Sequence, residues 1–543
     1  MKNRSFLTTL AFLLAALCVL LPARGQNQAD SARTTYVYLL NADKVSYKEY
    51  LLPGAQVLTG NVVLRHDSMY MYCDSALLYR ETNSFKAFDN IRMEQGDTLF
   101  MYGDSLYYNG NTRLAQLRDN VRLENRTMVL LTDSLNYDRN LNLGYFFDGG
   151  TLLDETNTLT SDYGQFEPDR NLASFFDKVK LKSPDYDMKS DTLYYNTETH
   201  IALFNGPTTI DNEDYIIRTT RGNFNTYTRS AVLLDRSLVD EKSGDSRMTG
   251  DSILFDDGKG VLRAFGSVLL NNYKDKTDIS GDYVYCNREN DSIVVTDRAL
   301  AIEYSSGDSM FMHADTIRMQ TYWNAAHDTV VERHVRAFNR VKVYRYDMQM
   351  IADSLQVSTA DSSMTLFGDP IVWSEGQQIL GEKIIAYMND STIDWAHVIG
   401  QALFVQQVDS VNYNQISGRE MKAWFDGQGR MDHATVKGNV LVVFFPMDDD
   451  STMIGMNTTE ASTLNAYFKE SQIETISIPG KSSGILYPMD QIDANKMYLP
   501  SFNWFDHLRP YAPEDVFYWR EKRGDEKLRK RVQKSVPLPT LNR

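Results

Sequence analysis

Cysteine is nearly absent, with three in 543 residues, and Cys18 belongs to a leading apolar stretch. The other two, Cys73 and Cys286, stand about seven repeats apart in the periodicity described below, roughly 65 Å at about 4.8 Å per strand. A disulfide needs Cα atoms within about 7 Å, so no bridge within one chain is expected and packing must hold the chain together. Histidine is also scarce, eight in all, and none sits in H-x-H or H-E-x-x-H spacing. With no paired cysteines either, no metal site is expected. There is no phosphate loop or dinucleotide fingerprint, and no cofactor is expected. Positive charge is in deficit: 56 Lys and Arg against 72 Asp and Glu leave a net charge of −16. That argues against nucleic acid, whose recognition needs a basic face. Beyond the first 25 residues no apolar run approaches a membrane-spanning helix.

Those first 25 residues have the layout of a secretory signal. Lys2 and Arg4 supply the charged start, Phe6 to Leu21 the apolar stretch, and Ala23-Arg24-Gly25 a small-x-small end. The apolar stretch is short for a span, and Leu17 is too bulky for lipoprotein cleavage at Cys18. A cleaved signal is expected, with a mature chain exported to the periplasm, free or associated with the outer membrane.

What the chain does contain is a repeat. The phrase small–Asp–Ser/Thr–aliphatic–x–aromatic recurs as Gly103-Asp104-Ser105-Leu106-Tyr107-Tyr108, Thr132-Asp133-Ser134-Leu135-Asn136-Tyr137, Ser190-Asp191-Thr192-Leu193-Tyr194-Tyr195 and Gly250-Asp251-Ser252-Ile253-Leu254-Phe255. From Asp43 to Asp282 the steps stay at 29 to 31 residues. A second phrase, Asp/Gly–Asn–Val–x–Leu, lies half a period away, as in Gly60-Asn61-Val62-Val63-Leu64, Asp89-Asn90-Ile91-Arg92-Met93, Asp119-Asn120-Val121-Arg122-Leu123 and Asp177-Lys178-Val179-Lys180-Leu181. Both alternate apolar with polar, the period of a strand with one buried face. A fixed period of this length means a stacked array, here all-β and antiparallel, with two strand passes per repeat.

Alternation predicts one inward face. It carries Val45 and Tyr47, Val62 and Leu64, Ile91 and Met93, Leu106 and Tyr108, Val121 and Leu123, Leu135 and Tyr137. The same face continues through Val179 and Leu181, Leu193 and Tyr195, and Ile253 and Phe255. Cys286 takes the slot that Tyr108 and Tyr137 fill elsewhere. If the two layers stand apart, this row lines a groove for acyl chains.

No catalytic residue is expected. An acid repeated at one structural position serves the frame, by bonding a turn or strand corner. Gly480-Lys481-Ser482-Ser483-Gly484 fits the G-x-S-x-G pattern, but Pro479 before it and Pro488 after it leave no room for the helix that motif requires. The array is expected to run over 34–470 and to close with Ala461–Phe468. Residues 480–543 then form a C-terminal cap or docking segment, with a short helix starting near Pro513 and a basic tail.

The phrases Thr59-Gly60-Asn61-Val62-Val63-Leu64 and Asn41-Ala42-Asp43-Lys44-Val45 resemble the repeats of the OstA-like/LptA family of lipopolysaccharide transport. The resemblance runs from Thr34 to Phe468 and is strongest in the first half. It implies an elongated two-sheet jelly-roll or solenoid-like array, open along one side. It further implies a periplasmic protein that carries lipopolysaccharide toward the outer membrane, acyl chains inside, and pairs with other transport proteins through its edge strands. With about thirteen repeats and an added C-terminal segment, the chain is similar to the longer members. Alternatives are a structural or adhesive β-solenoid, and the periplasmic part of an outer-membrane assembly complex.

Overall fold

The computed structural model describes residues 35–521, apart from 49, 306, 325–328, 390–392, 449, 451 and 471. The signal sequence and the basic tail expected from the sequence lie outside these residues. The chain divides after Asp148 into two compact units. Both are built from antiparallel strands joined in sequence order by tight turns. The described residues contain no α-helix, and no helix long and apolar enough to cross a membrane.

In the first unit, strands Gln56–His66, Met69–Tyr79, Ser84–Gln95, Leu99–Asn109, Leu114–Asn125 and Met128–Asp138 pair successively. Every pairing skips in mid-strand, for example between Phe88 and Ile91 and between Arg118 and Val121. The skipped residues of the second phrase, such as Asp119 and Asn120, have positive φ, and local insertions of this kind bend a strand. Each long strand is thereby folded over into two half-strands that face one another. His66 at one strand end can thus touch Tyr108 at the opposite end of another. In the second unit the same bend sometimes breaks the strand outright, into Ser230–Leu233 and Ser237–Glu241 for instance.

The two sequence phrases meet at this bend. The second phrase's amide or cation reaches the first phrase's acid: Asn61 Nδ2 donates to Asp43 at 2.9 Å, Asn90 to Asp74 at 2.7 Å, Asn120 to Asp104 at 2.5 Å, and Lys178 Nζ to Asp162 at 2.7 Å. Gly60 shows why the residue before Asn61 is small. Its φ is +77°, and a Cβ there would lie 2.3 Å from the Asp43 carboxylate. At these four bends the repeated acid is a clip of the frame.

Inside the bend, large and small side chains alternate across neighbouring strands. Tyr108 faces Ala115, which faces Tyr137, which faces Gly144. In the second unit Phe166, Ala173, Tyr195, Ala202 and Phe224 continue the same rule. Each ring fills the space left by its small neighbour.

Residues after Phe468 add two more strands. Gln472–Ser477 and Ser482–Pro488 both pair with Gly455–Lys469, so the array does not close at Phe468. The G-x-S-x-G stretch lies in and before the second of these strands, with no helix behind it. The chain then turns back as a strap across the outward face of the second unit. Ile351, Ile371, Leu380 and Leu403 lie opposite one another on successive strands and so share that face. Together with Trp373 and Val405 they bury Phe505 and Leu508 of the strap.

Three buried glutamines on this face bind strap groups. Gln415 Nε2 donates to Met497 O and its Oε1 accepts from Leu499 N, both at 2.8 Å. Gln378 does the same with Asn503 O and Phe505 N, again at 2.8 Å. Gln349 Oε1 accepts from Arg509 Nε at 2.7 Å. Farther along, Lys342 Nζ donates to Tyr518 O, and burial lowers its pKa to about 8. Pro513–Phe517 is a 3-10 turn rather than an α-helix. The Asp515 carboxylate closes it by accepting from the backbone of Tyr511 and Ala512.

Candidate functional site

The structure places most of the expected inward residues on one face. Val62, Leu64, Ile91, Met93, Leu106, Tyr108, Val121, Leu123, Leu135 and Tyr137 are buried in the first unit. Val179, Leu181, Leu193, Tyr195 and Ile253 are buried in the second. Phe255 is only half-buried. Val45 and Tyr47 depart from the expected burial, at 48% and 66% exposed. Their side chains do share a face with buried partners, since Val45 opposes Leu58 and Tyr47 opposes Gln56. They sit on Lys44–Tyr47, a short strand paired along one side with Gln56–His66, and the described residues provide no strand beyond it. Asn136, between the inward Leu135 and Tyr137, is buried as well and accepts from Arg118 Nη2 at 2.9 Å.

The aromatic ending of the first phrase has a task that periodicity alone does not reveal. It lies where the free ends of facing half-strands meet, and its hydroxyl ties those ends together. Tyr108 OH lies 2.6 Å from His66 Nδ1 and accepts from Arg139 Nη1 at 2.9 Å. Tyr137 OH lies within hydrogen-bond reach of both Gln95 Oε1, at 3.1 Å, and Asn142 Oδ1, which share its one proton. In the second unit Tyr195 OH donates to the buried Asp154 carboxylate at 2.5 Å. Burial raises the phenol pKa of both Tyr108 and Tyr195. These tyrosines are latches across the mouth of the fold.

His66 is held neutral by its surroundings, because burial lowers its pKa. Arg139 Nη1 lies 3.2 Å from Nδ1, so Nδ1 is an acceptor and Nε2 carries the proton toward Thr35 O at 3.0 Å. Protonating Nδ1 would set an imidazolium against the guanidinium. The folded pKa is below the ordinary value near 6.5. Between the two values the unfolded chain binds the extra proton, so stability falls as pH falls through that window. Protection factors of strands 56–66 and 99–109, corrected for the intrinsic exchange rate, should fall as pH drops through about 6.5, and His66→Gln should flatten that dependence. Equal pH dependence in both proteins would show that His66 does not hold the latch.

The hydroxyl is not present in every earlier repeat, since Leu78, Phe166 and Phe224 fill the same slot and are buried without it; from Asp251 onward the slot passes to residues that are less covered. The equivalent positions are Phe255, Cys286, Met319 and Val357, none of which carries a hydroxyl. A continuous cross-strand row results: Phe255, Leu262, Cys286, Ile293, Met319, Val335, Val357 and Met364, each opposite the next. All eight are half-buried, whereas the latched Tyr108, Tyr137 and Tyr195 are fully buried. Burial pushes the Cys286 thiol up to about 12, so it is protonated and behaves as a small apolar group. Sequence reasoning named only Phe255 and Cys286 of this row. The signal that could have found the rest was the unbroken run of non-tyrosine residues at the phrase's last position from Phe255 on.

No group of acidic, histidine or cysteine side chains able to hold a metal occurs among the described residues. Such a chain, with repeated bent strands, clips at the bend and an apolar inward face, is an all-β array protein. Residues 34–191 match the model of the OstA-like protein family. Among solved structures the chain is similar to LptH of Pseudomonas aeruginosa, described as the LptA-homologous periplasmic component of a lipopolysaccharide transport device. That alignment has 16% identity and a TM-score of 0.17, covering 21% of this chain and 74% of the other. No curated protein matches the chain.

Proposed function

We propose that this protein binds lipopolysaccharide in the periplasm by its acyl chains and passes it toward the outer membrane. The observation that carries this reading is the continuous half-buried apolar row from Phe255 to Met364. An acyl chain laid against such a row gains about 0.8 kcal/mol per buried CH₂. It leaves no polar group of its own unpaired there, while its sugars stay in water. The latched stretches on the N-terminal side of the row hold their inner face closed and serve as scaffold. The exposed strand Lys44–Tyr47, with Val45 and Tyr47 uncovered, offers an edge for strand addition by another transport protein.

Photo-crosslinking residues placed in the chain and irradiated in cells test this directly. Met319 and Val335 should capture lipopolysaccharide strongly, and the latched positions Leu106, Val121 and Leu193 less. Tyr107 and Arg122 on the outward face should capture none. Equal labelling of both faces, or none on the inner one, would leave a purely structural β-array as the better account.

A further inference from the structure

One cavity of the second unit lies away from the inner row, where the end of the strap meets the bend. It measures about 560 Å³, within the range of roughly 300–1,000 Å³ common for small-ligand sites. Asp282, Asp297, Arg298 and His313 line it together with Phe517 and Trp519 of the strap.

The repeating clip is given up at this place. Arg340 and Arg298 occupy the same slot of the second phrase, each the second of two positive-φ residues. Arg340 clips Asp315 at 2.6 Å. Arg298 instead lies over the Phe517 ring, 5.6 Å from its centroid. The Asp282 carboxylate is left without a hydrogen-bond or ion-pair partner among the described residues. Asp297 accepts only from its neighbour Thr296, at 3.0 Å. His313 Nδ1 donates to Ala299 O at 2.7 Å, which leaves Nε2 as an acceptor.

The geometry points to a saccharide site formed jointly by the bend and the strap. Carboxylates only accept hydrogen bonds and guanidinium groups only donate them. A simple anion would meet Asp282 and Asp297, and a simple cation would meet Arg298 and Arg340. A sugar hydroxyl both donates and accepts, so one ring can satisfy both kinds of group. Its apolar C–H face rests on Trp519, a ring with an apolar body and a wet edge. The site is independent of the inner row, and its occupant needs no acyl chain.

Saturation-transfer NMR on the full chain tests it, with glucose, galactose and N-acetylglucosamine as lipid-free probes and sulfate and ethanolamine as charged controls run by titration calorimetry. At least one sugar should receive saturation; Asp282→Ala should weaken its affinity about tenfold, the effect of losing one hydrogen bond to a charged group, and Trp519→Ala about as much, by removing the ring under its apolar face. Tyr107→Ala should change nothing. No transfer to any sugar, or transfer insensitive to both substitutions, would overturn the site. Binding of sulfate or ethanolamine with that same sensitivity would overturn it too, in favour of an ion site. Crosslinking at Met319 and Val335 reads the inner row separately, so either assignment can fail alone.

Discussion

Replacing Leu106 with Asp should collapse the first unit, while the same change one residue later should be tolerated. Leu106 lies between Ala87 and Leu117 on neighbouring strands, inside the bend, and is buried. Asp there loses the apolar burial and sets a carboxylate among groups that cannot pair with it. The expected cost is about 4 kcal/mol or more, a large part of a typical domain's stability. Tyr107 points to the other face and is 36% exposed, so Tyr107→Asp should cost about 1 kcal/mol or less. Hydrogen exchange across strands 99–138 of the two full-length variants measures the contrast. Comparable protection in both would mean that the inward face is misassigned by one residue, because a one-residue slip exchanges the two faces of a strand.

Trp373→Ala should release the strap. Trp373 is among the largest fully buried side chains, packs with Phe505 and Leu508, and donates Nε1–H to Gln378 Oε1 at 3.1 Å. That same oxygen accepts from Phe505 N, so the indole positions the amide that holds the strap backbone. Removing a buried ring of this size costs about 3–5 kcal/mol. The loss should appear as faster hydrogen exchange at residues 499–517, with strands 56–138 unchanged. Exchange confined to strands 371–380 would show instead that the glutamine bonds hold the strap without the indole.

Much of the architecture was legible in the chain because its information is local and repeated. Alternation within each phrase sets which side chains face inward, and the fixed step sets how many strands stack. The departures all lie where a residue's surroundings come from far along the chain. Val45 and Tyr47 obey the alternation yet remain exposed, since burial at an edge depends on a neighbouring strand and not on the pattern. Asn136 alternates with the inward Leu135 and Tyr137 yet is covered by Arg118, eighteen residues before it in the chain. The acid of the first phrase and the asparagine of the second were recognisable as frame residues. That they form one clip appears only when the bend brings Asp104 and Asn120 together.

By itself, then, the sequence determined the all-β class, the two-pass repeat, the inward face and the likeness to the OstA-like family, all of which rest on short-range periodicity. Only the tertiary structure decided that the recurring tyrosine is a latch. Its partners His66, Gln95 and Asp154 lie about forty residues away and follow no motif. Only the tertiary structure, likewise, brought Gln349, Gln378 and Gln415 under a strap that begins beyond Pro488. Hydrogen-bond partnership between distant segments is settled by how the chain bends and returns, and a linear pattern carries no record of that.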